Sequence, residues 1–433
     1  MTAPAGAKTT LGLLIVLGAL WGAGAASAQE PPAEWSAWSM LREQTSFGGS
    51  LRAAYWTSSR NLDTLENLPV TALWLHGRWD PHRDVSLYVD GWVGNDDLFI
   101  AEATSGKFRE GYLELRFGPL DIRLGRQIIA WGRADQINPT DNLTPKNFRL
   151  LVPEDADERS GTTGAKVVYR VGNLSLTGVV LPTFEPDVIA LQRPPSGSTL
   201  RERVPGDPVT QGAFKIEQAG GRVDWSLSYF DGYDLFPDLG IDTVRADGVD
   251  LLLRHHRIRV VGADAAAAIG PYTVRGEVAY TFTQHEHTGD EIKSPFLLLV
   301  VGADRTLPGG LYVNVQYLLR VISRFQDPLA VTDPITRQVA IQQASINDQL
   351  DPVKHGVAIR LSKTWLSDTL VTEISSIVSP GRGEFALMPK ATYAVTDRLR
   401  LTAGAFIFGG ETPSFFGRLR GTSTGYVEVR LDF

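Results

Sequence analysis

The chain alternates apolar and polar residues over most of its length. The segment 273–281 places Val274, Val278 and Tyr280 on one face, whereas Arg275 and Glu277 fall on the other. Because a β-strand sends successive side chains to opposite faces, this period of two predicts strands with one apolar and one polar face. The same alternation returns along the chain in 223–229, 311–317 and 398–405.

Two architectures produce such strands. A soluble sandwich packs its apolar faces together, whereas a membrane barrel turns them outward into lipid and keeps a polar lumen. Aromatic residues such as Trp79, Tyr229 and Phe282 recur near the predicted strand ends, where the interfacial belts of a membrane barrel would lie. The chain also ends in a strand, so we expect an all-β fold, a transmembrane antiparallel β-barrel.

Short and long connections alternate between the predicted strands. Tight turns with Gly, Pro, Asn or Asp are predicted near 80–82, 118–119, 172–173, 220–221, 270–271, 308–310, 367–368 and 396–397. Longer polar or Pro-rich stretches are predicted at about 59–67, 95–106, 129–161, 183–208, 232–256, 284–292, 323–353 and 408–421. Short periplasmic turns and long extracellular loops are typical of outer-membrane barrels.

The number of strands follows from these connections. Residues 46–433 divide into about 18 strands, an even number that leaves both ends on the short-turn side, and 16 strands is the alternative. Residues 246–256 either end a long loop or extend a strand. Gly381-Arg382-Gly383 is a short connection where a long one is due.

The N-terminus has the order of a secretory signal. Lys8 precedes an apolar run that ends near Leu20, and Ala26-Ser27-Ala28 is a small-residue cleavage site. This order predicts a signal peptide at 1–28, followed by a periplasmic segment at 29–45. The apolar run is shorter than the roughly 20 residues of a helical membrane anchor.

Composition narrows the classes of function. The 433 residues include no Cys, which excludes disulfides, thiol catalysis and thiolate metal sites. The 42 basic and 49 acidic side chains give a formal charge of −7, and no basic cluster indicates a nucleic-acid partner.

The C-terminal strand carries a specific resemblance. Val429, Leu431 and Phe433 share one face, Tyr426 begins the strand, and the chain ends on the aromatic Phe433. The strand resembles the signal that the outer-membrane barrel assembly machinery recognises, and with the export signal and repeated hairpins the chain resembles Gram-negative porin-like barrels. The resemblance implies an outer-membrane location, contact with membrane lipid and lipopolysaccharide, and a pore. It does not decide between a monomer and a homotrimer.

A narrower resemblance lies in a short stretch. Gly125-Arg126-Gln127, Trp131-Gly132-Arg133 and Asn138-Pro139-Thr140-Asp141 are similar to uncharacterised proteobacterial barrels related to alginate-export porins. The stretch covers about thirty residues. It implies a pore and names no solute.

The connection 129–161 is the candidate constriction of this pore. In the general porin family the third long loop folds into the lumen and narrows it, and here that loop is rich in charge and proline. A rigid charged loop in a polar pore would set size and charge selectivity, whereas the alternative is a solvated loop over the barrel mouth. The charged candidates are Arg133, Asp135, Asp141, Lys146, Arg149, Glu154, Asp155, Asp157, Glu158 and Arg159.

Alternation also places charges on the lumen face. The predicted lumen charges are Arg116, Arg123, Arg170, Arg275, Glu277, Arg320, Arg360 and Arg400. Opposite charges on neighbouring strands are expected to pair across the wall, which is mainly structural. A slight basic excess on the lumen face suggests a weak preference for anions.

Signals for enzymatic or metal chemistry are weak. No Gly-x-Ser-x-Gly occurs, and no His has a Ser two residues later, the spacing of the barrel phospholipases. His285 and His287 form the one His pair at strand spacing and are weak candidates for a divalent metal, with a solvated loop as the alternative. We expect no enzyme activity and no cofactor.

The predicted function is a porin-like channel for passive diffusion of small hydrophilic or weakly amphiphilic solutes. Two other functions stay open: the outer-membrane exit pore of a polysaccharide or lipid export system, and a structural or hydrolytic barrel with a closed lumen.

Overall fold

The computed structural model describes residues 44–57, 71–95, 104–148, 155–191, 194, 196–284 and 292–433. The predicted signal peptide at 1–28 and nearly all of the predicted periplasmic segment at 29–45 lie outside these residues and stay predictions. Residues Thr45–Phe433 form one compact unit. No described helix is both long and apolar enough to cross a bilayer.

Eighteen antiparallel strands form the wall of a closed barrel. The first half of the wall consists of β1 Thr45–Trp56, β2 Thr71–His82, β3 Val85–Asn95, β4 Thr104–Phe117, β5 Leu120–Gln127, β6 Thr162–Val171, β7 Leu174–Leu181, β9 Gln211–Gln218 and β10 Asp224–Tyr233. The second half consists of β13 Arg257–Ile269, β14 Tyr272–Thr283, β15 Phe296–Thr306, β16 Leu311–Ile322, β17 Val353–Trp365, β18 Leu370–Ser379, β19 Glu384–Ala394, β20 Leu399–Gly409 and β21 Thr424–Asp432.

Each strand pairs with its neighbour along the wall, and β1 pairs with β21 to close it, with Arg52 opposite Arg430. Because the barrel is closed, no sheet edge is left free. A free edge in a bilayer would leave backbone N–H and C=O groups unpaired, since lipid offers no hydrogen-bond partners. The prediction of an all-β barrel of about 18 strands is confirmed, and the count of 16 is wrong.

Three further strands lie outside the wall. They are β8 Thr199–Arg203, β11 Asp238–Val244 and β12 Val249–Arg254, and they form a small sheet in which β12 is central. The stretch 246–256 therefore neither ends a plain loop nor extends a wall strand, since most of it is β12. Sequence alternation cannot distinguish a strand of the wall from a strand within a loop.

The wall has two chemically different faces. Along β21, the outward residues Val427, Val429 and Leu431 are exposed, whereas Tyr426 and Glu428, which alternate with them, are buried. Exposed apolar side chains on the outside of a closed barrel are suited to lipid, because they contact the acyl chains without a free-energy cost. A ring of exposed aromatic residues lies toward the short-turn end, at Phe47, Trp79, Phe117, Tyr169, Tyr272, Trp365, Tyr393 and Phe433.

Short turns connect the strands at one end of the barrel, and long loops connect them at the other end. At the short-turn end, Gly118, Gly172 and Gly270 each adopt a left-handed backbone, which glycine tolerates without steric cost. At the long-loop end we name loop 3 (128–161), loop 4 (182–210), loop 5 (234–256), loop 6 (284–295), loop 7 (323–352) and loop 9 (410–423). The connection 380–383 between β18 and β19 is short, as the sequence predicts.

The long loops have a small core of their own. Helix α1, Pro334–Ile346 of loop 7, begins after Asp333, whose carboxylate accepts the Thr336 N–H at 2.8 Å. Its buried Val339 and Ile346 pack with Leu251 and Leu253 of β12. The loops at this end therefore pack against one another.

Candidate functional site in the lumen

Loop 3 starts on the inside of the wall. Ile129, Trp131 and Leu143 pack against the inward apolar residues Val260 and Ala279. The Ile129 N–H donates to the Thr144 hydroxyl at 2.8 Å, and that hydroxyl donates back to the Ile129 carbonyl at 2.9 Å. The loop thus leaves β5 already pressed against the lumen face.

A single wall carboxylate holds the next part of loop 3. Glu277 of β14 accepts the N–H of Arg133 at 2.9 Å, the N–H of Ala134 at 3.1 Å and the N–H of Thr140 at 2.8 Å. The Thr140 hydroxyl donates to the same carboxylate at 2.8 Å. Glu277 is 1% exposed, so four hydrogen bonds replace its water.

Gly132 makes this arrangement possible. Its φ is +97°, and a Cβ at this position would lie 2.6 Å from both Glu277 carboxylate oxygens. A glycine is therefore required for two reasons, its backbone conformation and its close approach to the carboxylate. This explains the stretch Trp131-Gly132-Arg133 and Asn138-Pro139-Thr140-Asp141 as a turn that wraps around a buried anion.

The Arg133 side chain adds two ion pairs to this anchor. Its Nε donates to Asp264 of β13 at 2.6 Å, and its Nη2 donates to Glu217 of β9 at 2.5 Å. Asp264 is nearly buried, so the guanidinium neutralises a charge that water does not reach.

The tip of loop 3 reaches further along the wall. Asp135 accepts from Arg360 of β17 at 3.1 Å, and the Gln136 amide donates to the Ile359 carbonyl at 3.2 Å. Ala134 and Ile137 pack on an apolar patch of the lumen face. Loop 3 is therefore attached from β9 to β17.

The returning half of loop 3 contacts the opposite side. Asp157 accepts from Arg52 of β1 at 2.6 Å. β1 and β13 have eight wall strands between them in either direction. Because the loop makes ion pairs with Arg52 and with Asp264, it is attached to diametrically opposite strands.

Inside loop 3, Asp141 joins the two halves. It accepts from Arg159 at 2.6 Å and from Lys146 at 3.3 Å, and its side chain is 1% exposed. Arg159 in turn offers its carbonyl to Arg109 of β4 at 3.1 Å.

Loop 4 supports loop 3 from the long-loop end. The Lys146 N–H donates to the Asp187 carboxylate at 2.7 Å, and the Phe148 N–H donates to the Val188 carbonyl at 2.9 Å. Burial raises the pKa of Asp187 to about 7, because the carboxylate loses its water.

The structure thus brings together Arg133, Asp135, Asp141, Lys146, Asp157 and Arg159 of the predicted constriction residues. Glu158 lines a cavity beside loop 3, and Asp155 begins the 3₁₀ helix Asp155–Glu158. Arg149 and Glu154 lie outside the described residues.

The predicted lumen charges lie on the lumen face and have partners there. Arg275 pairs with Asp304 at 3.2 Å, which follows the expected pairing across neighbouring strands. The other basic residues and their partners are Arg116 and Arg123 with Glu114, Arg170 with Asp121, Arg320 with Asp348, Arg360 with Asp135 and Glu373, and Arg400 with Asp432. Glu277 differs, since it receives mainly backbone N–H groups.

Between loop 3 and the second half of the wall lies a cavity of about 760 Å³. Its polar lining includes Arg360, Lys354 and Lys390, and its aromatic lining includes Phe406, Phe408, Phe415, Phe416 and Tyr426. Sequence reasoning missed this aromatic surface, although alternation along 399–409 places Phe406 and Phe408 on one face.

The remaining predicted sites are placed as follows. Val429, Leu431 and Phe433 of the C-terminal strand face outward, whereas Tyr426 faces the lumen. His285 and His287 lie outside the described residues. Within the described ranges, no group of three or more His, Asp or Glu side chains is arranged to hold a metal ion.

Comparison with known proteins rests on structure. No family model matches the chain. A search of curated proteins finds no match either.

Solved structures of bacterial proteins share the fold. The outer membrane protein OpdK of Pseudomonas aeruginosa has a TM-score of 0.54 and 12% identity, over 90% of this chain and 99% of that chain. OccK9 (OpdG) of the same organism has a TM-score of 0.54 and 11% identity, over 91% and 98% of the two chains. OccAB2 of Acinetobacter baumannii has a TM-score of 0.53 and 11% identity, over 90% and 98%. The chain therefore has the fold of the 18-stranded porins of Gram-negative outer membranes, and the predicted porin-like barrel is confirmed.

Proposed function

We propose that the protein is an outer-membrane channel for passive diffusion of small hydrophilic or weakly amphiphilic solutes, with loop 3 as its constriction. The observation that carries this proposal is the attachment of loop 3 to opposite strands, through Arg52 on one side and Asp264 on the other. A loop fixed in this way narrows the path at a defined height, as selectivity filters do with charged side chains.

The structural neighbours support a channel. OpdK of Pseudomonas aeruginosa is an outer membrane protein, and one of its structures contains vanillate (TM-score 0.53, 10% identity, over 90% of this chain and 99% of that chain). The cavity beside loop 3 combines charged and aromatic residues, which suits a solute with both a polar and an apolar part.

A weak anion preference is part of the proposal. Lys166 faces the lumen from β6 and has no carboxylate within ion-pair distance among the described residues. Glu110 of β4 is a lumen carboxylate that likewise has no basic partner at that distance among them, so it offsets the charge of Lys166. The preference therefore depends on the slight basic excess predicted for the lumen face, and we expect it to be small. Reversal potentials in a salt gradient measure it, and clear cation selectivity would contradict it.

Removal of loop 3 tests the constriction. In a variant that lacks 134–158, single-channel conductance in planar bilayers should rise and ion preference should weaken, because the narrowest part of the path is gone. The variant must still form a barrel, shown by its heat-modifiable mobility on gels. Unchanged conductance and ion preference would refute the constriction.

The same recordings separate the other functions. A stable open current from the purified protein supports passive diffusion. A mostly closed channel would instead favour an export exit pore that a periplasmic partner opens, or a closed barrel, and activity on phospholipid or peptide would favour a hydrolase.

The location implies partners. We propose that the outward apolar face contacts membrane lipid and lipopolysaccharide, and that the barrel assembly machinery recognises the C-terminal strand through Val429, Leu431 and Phe433. A homotrimer stays a prediction, to be measured by the mass of the detergent-solubilised protein.

A further inference from the structure

The outward face of the wall carries two arginines at the long-loop end. β13 begins at Arg257, and Arg259 lies two residues further along the strand. Ile258 and Val260, which alternate with them, are buried in the barrel interior. Because successive residues of a strand face opposite ways, both arginines point away from the lumen. Val261, the next residue on their face, is exposed, as the lipid-facing side requires.

Arg259 lies at the level of the outer membrane–water interface. It is directly opposite Phe282 of β14. Phe282 and Tyr272 are exposed aromatic residues near the two ends of that strand. The stretch from Tyr272 to Phe282 rises about 25 Å through the membrane at the ordinary strand tilt, which is the height of the apolar band of an outer-membrane barrel. Arg259 therefore lies where the apolar band ends on the long-loop side.

One carboxylate serves both arginines. Asp231 of β10 accepts from the Arg257 Nε at 3.1 Å and from the Arg259 Nε at 3.2 Å. No other carboxylate within the described ranges lies at ion-pair distance from either guanidinium. The group therefore has one positive charge in excess, which water or an anion outside the wall must balance.

The two guanidinium groups differ in how fully they are engaged. Arg257 also donates through Nη1 to the Thr210 carbonyl of loop 4 at 3.0 Å, and its side chain is 38% exposed. The Nη groups of Arg259 make no hydrogen bond to a described residue, and its side chain is 69% exposed. Arg259 thus presents a free, accessible pair of N–H donors, the arrangement that binds a phosphate group through two parallel hydrogen bonds.

The outward surface below these arginines, toward the membrane centre, is apolar. Val261 of β13 is followed across the sheet by Leu227 of β10 and Phe214 of β9, and all three are exposed. Tyr229 lies opposite both Val261 and Phe214, and its hydroxyl donates to Asp231 at 3.4 Å. This face therefore offers an apolar region to acyl chains and a cation just above it, at the level of the headgroups.

We infer that Arg259, held in place by Asp231 and Arg257, binds a phosphate group of lipid A, the membrane anchor of lipopolysaccharide, while the acyl chains lie on the outward face of β9, β10 and β13. This inference rests on the proposed contact of the outward face with lipopolysaccharide, and it names the residues that hold the headgroup. Lipid A fits because it joins phosphate groups to acyl chains in one molecule and because the long-loop end of the barrel meets the leaflet that contains it.

The test measures lipid binding to the full mature protein in a nonionic detergent by native mass spectrometry. The probes are lipid A with its phosphate groups and the same lipid A after their removal. In Arg259→Gln, we expect the apparent Kd of phosphorylated lipid A to rise about ten-fold, the low end for a charged hydrogen bond because the site is exposed. Dephosphorylated lipid A should bind the wild type and the variant equally, since it uses only the apolar surface.

The matched control is Arg305→Gln, at the short-turn end of β15. Arg305 is also an outward arginine without a carboxylate at ion-pair distance in the described part of the chain, and it donates to the Tyr272 hydroxyl at 3.1 Å. Its replacement removes the same charge from the opposite end and should leave both Kd values unchanged. Equal Kd values of phosphorylated lipid A in Arg259→Gln and Arg305→Gln would overturn the inference.

A second variant gives an effect of opposite sign. Asp231→Asn removes the shared carboxylate and leaves both arginines, so phosphorylated lipid A should bind several-fold more tightly. A merely structural cluster predicts no such gain, and unchanged or weaker binding in Asp231→Asn would refute the phosphate site. This variant also keeps the inference testable where Arg259→Gln fails to assemble.

Inorganic phosphate separates a lipid site from a site for a free anion. It lacks the acyl chains, so it should displace phosphorylated lipid A only at a large molar excess. Displacement at equal concentration would assign the site to a free anion and overturn the lipid assignment. A wild-type protein that binds neither form of lipid A contradicts the proposed contact with lipopolysaccharide itself, whereas equal binding of both forms contradicts the arginine site alone.

Discussion

At the scale of single residues, Glu277 shows how a barrel wall can fix a loop without a counter-charge. Its carboxylate is buried and receives three backbone N–H groups and one hydroxyl from loop 3. Each N–H presents a partial positive charge, so together they stabilise the anion as helix N-termini do. The same bonds hold the backbone of Arg133 and Thr140 in place.

Replacing Glu277 by Gln should release this part of loop 3. The amide keeps one acceptor oxygen but presents an NH₂ group to N–H donors, so the anchor loses on the order of 2–4 kcal/mol, as expected for buried charged hydrogen bonds. We expect larger and noisier single-channel currents. Asp304→Asn is the matched control, since Asp304 is a buried lumen carboxylate that pairs with Arg275 of the wall. Identical currents in the two variants would argue against Glu277 as the anchor.

Gly132→Ala tests the same anchor from the loop side. The new Cβ would lie 2.6 Å from both Glu277 carboxylate oxygens, and the φ of +97° is strained for alanine, a cost of about 1–3 kcal/mol. Protease cleavage within loop 3 of the purified protein should become faster. Gly178→Ala on the wall is the control, because a Cβ there meets no atom within 4 Å, and its cleavage pattern should match that of the wild type.

At the scale of elements, the loops hold one another through buried polar groups. Asp238 of β11 is 2% exposed and accepts from Gln343 of α1 at 2.6 Å and from the Lys293 N–H at 3.1 Å. His256 also contacts this carboxylate, at 2.8 Å. One side chain therefore joins loops 5, 6 and 7, so substitutions in one loop are expected to affect the others.

Asp187 makes the contact between loops 3 and 4 sensitive to pH. Burial, together with the nearby charges of Asp234 and Asp141, raises the pKa of Asp187 from 3.8 to about 7, although the Lys146 N–H and ammonium oppose the rise. Because this pKa lies above the ordinary value, the packed loops bind more protons than the opened loops between about pH 4 and 7. Packing is therefore strongest at low pH and weakens as the pH rises through this window, with little change above it.

We expect amide hydrogen exchange at 143–148 to reflect this weakening. Between pH 5 and 7, the opening equilibrium that exchange reports should grow with pH by up to about ten-fold per unit. Asp187→Asn should give an equilibrium that does not vary with pH. Asp242→Asn, at an exposed pair with Arg201, should retain the wild-type slope. A wild-type protein without any slope would contradict the role of Asp187.

At the scale of the whole molecule, the sequence predicts the wall better than its interior. Alternation in β14 assigns Val278 to lipid and Glu277 to the lumen because a strand has a fixed period of two, which neighbouring residues alone reveal. The bond from Thr140 to Glu277 joins residues 137 positions apart, and no local pattern encodes such a distance. The same holds for Arg418 and its contact with Ala190, 228 positions away.

Loop 3 is attached to opposite sides of the barrel, so both halves of the wall are needed to hold it. Arg52 of β1 is buried, pairs with Asp157 at 2.6 Å and lies 4.2 Å from the Trp74 ring centroid. Arg52→Asp or Asp157→Arg alone places like charges together in a poorly hydrated site, which costs several kcal/mol. Each single variant should therefore release the returning half of loop 3 and raise single-channel conductance.

The double variant, Arg52→Asp with Asp157→Arg, restores opposite charges with their positions exchanged. Its conductance should return toward the wild-type value, incompletely because the contact with Trp74 is lost. The same exchange at Arg275 and Asp304 is the control, since this pair joins neighbouring wall strands, and its single variants should leave the fluctuations of loop 3 unchanged. Recovery at 52 and 157 isolates the interaction between the two residues from the effect of each substitution. A double variant as open as the single variants would contradict the ion pair of Arg52 and Asp157 as the attachment. Single variants with wild-type conductance would mean that the other wall contacts hold loop 3, so that the path is narrowed from one side.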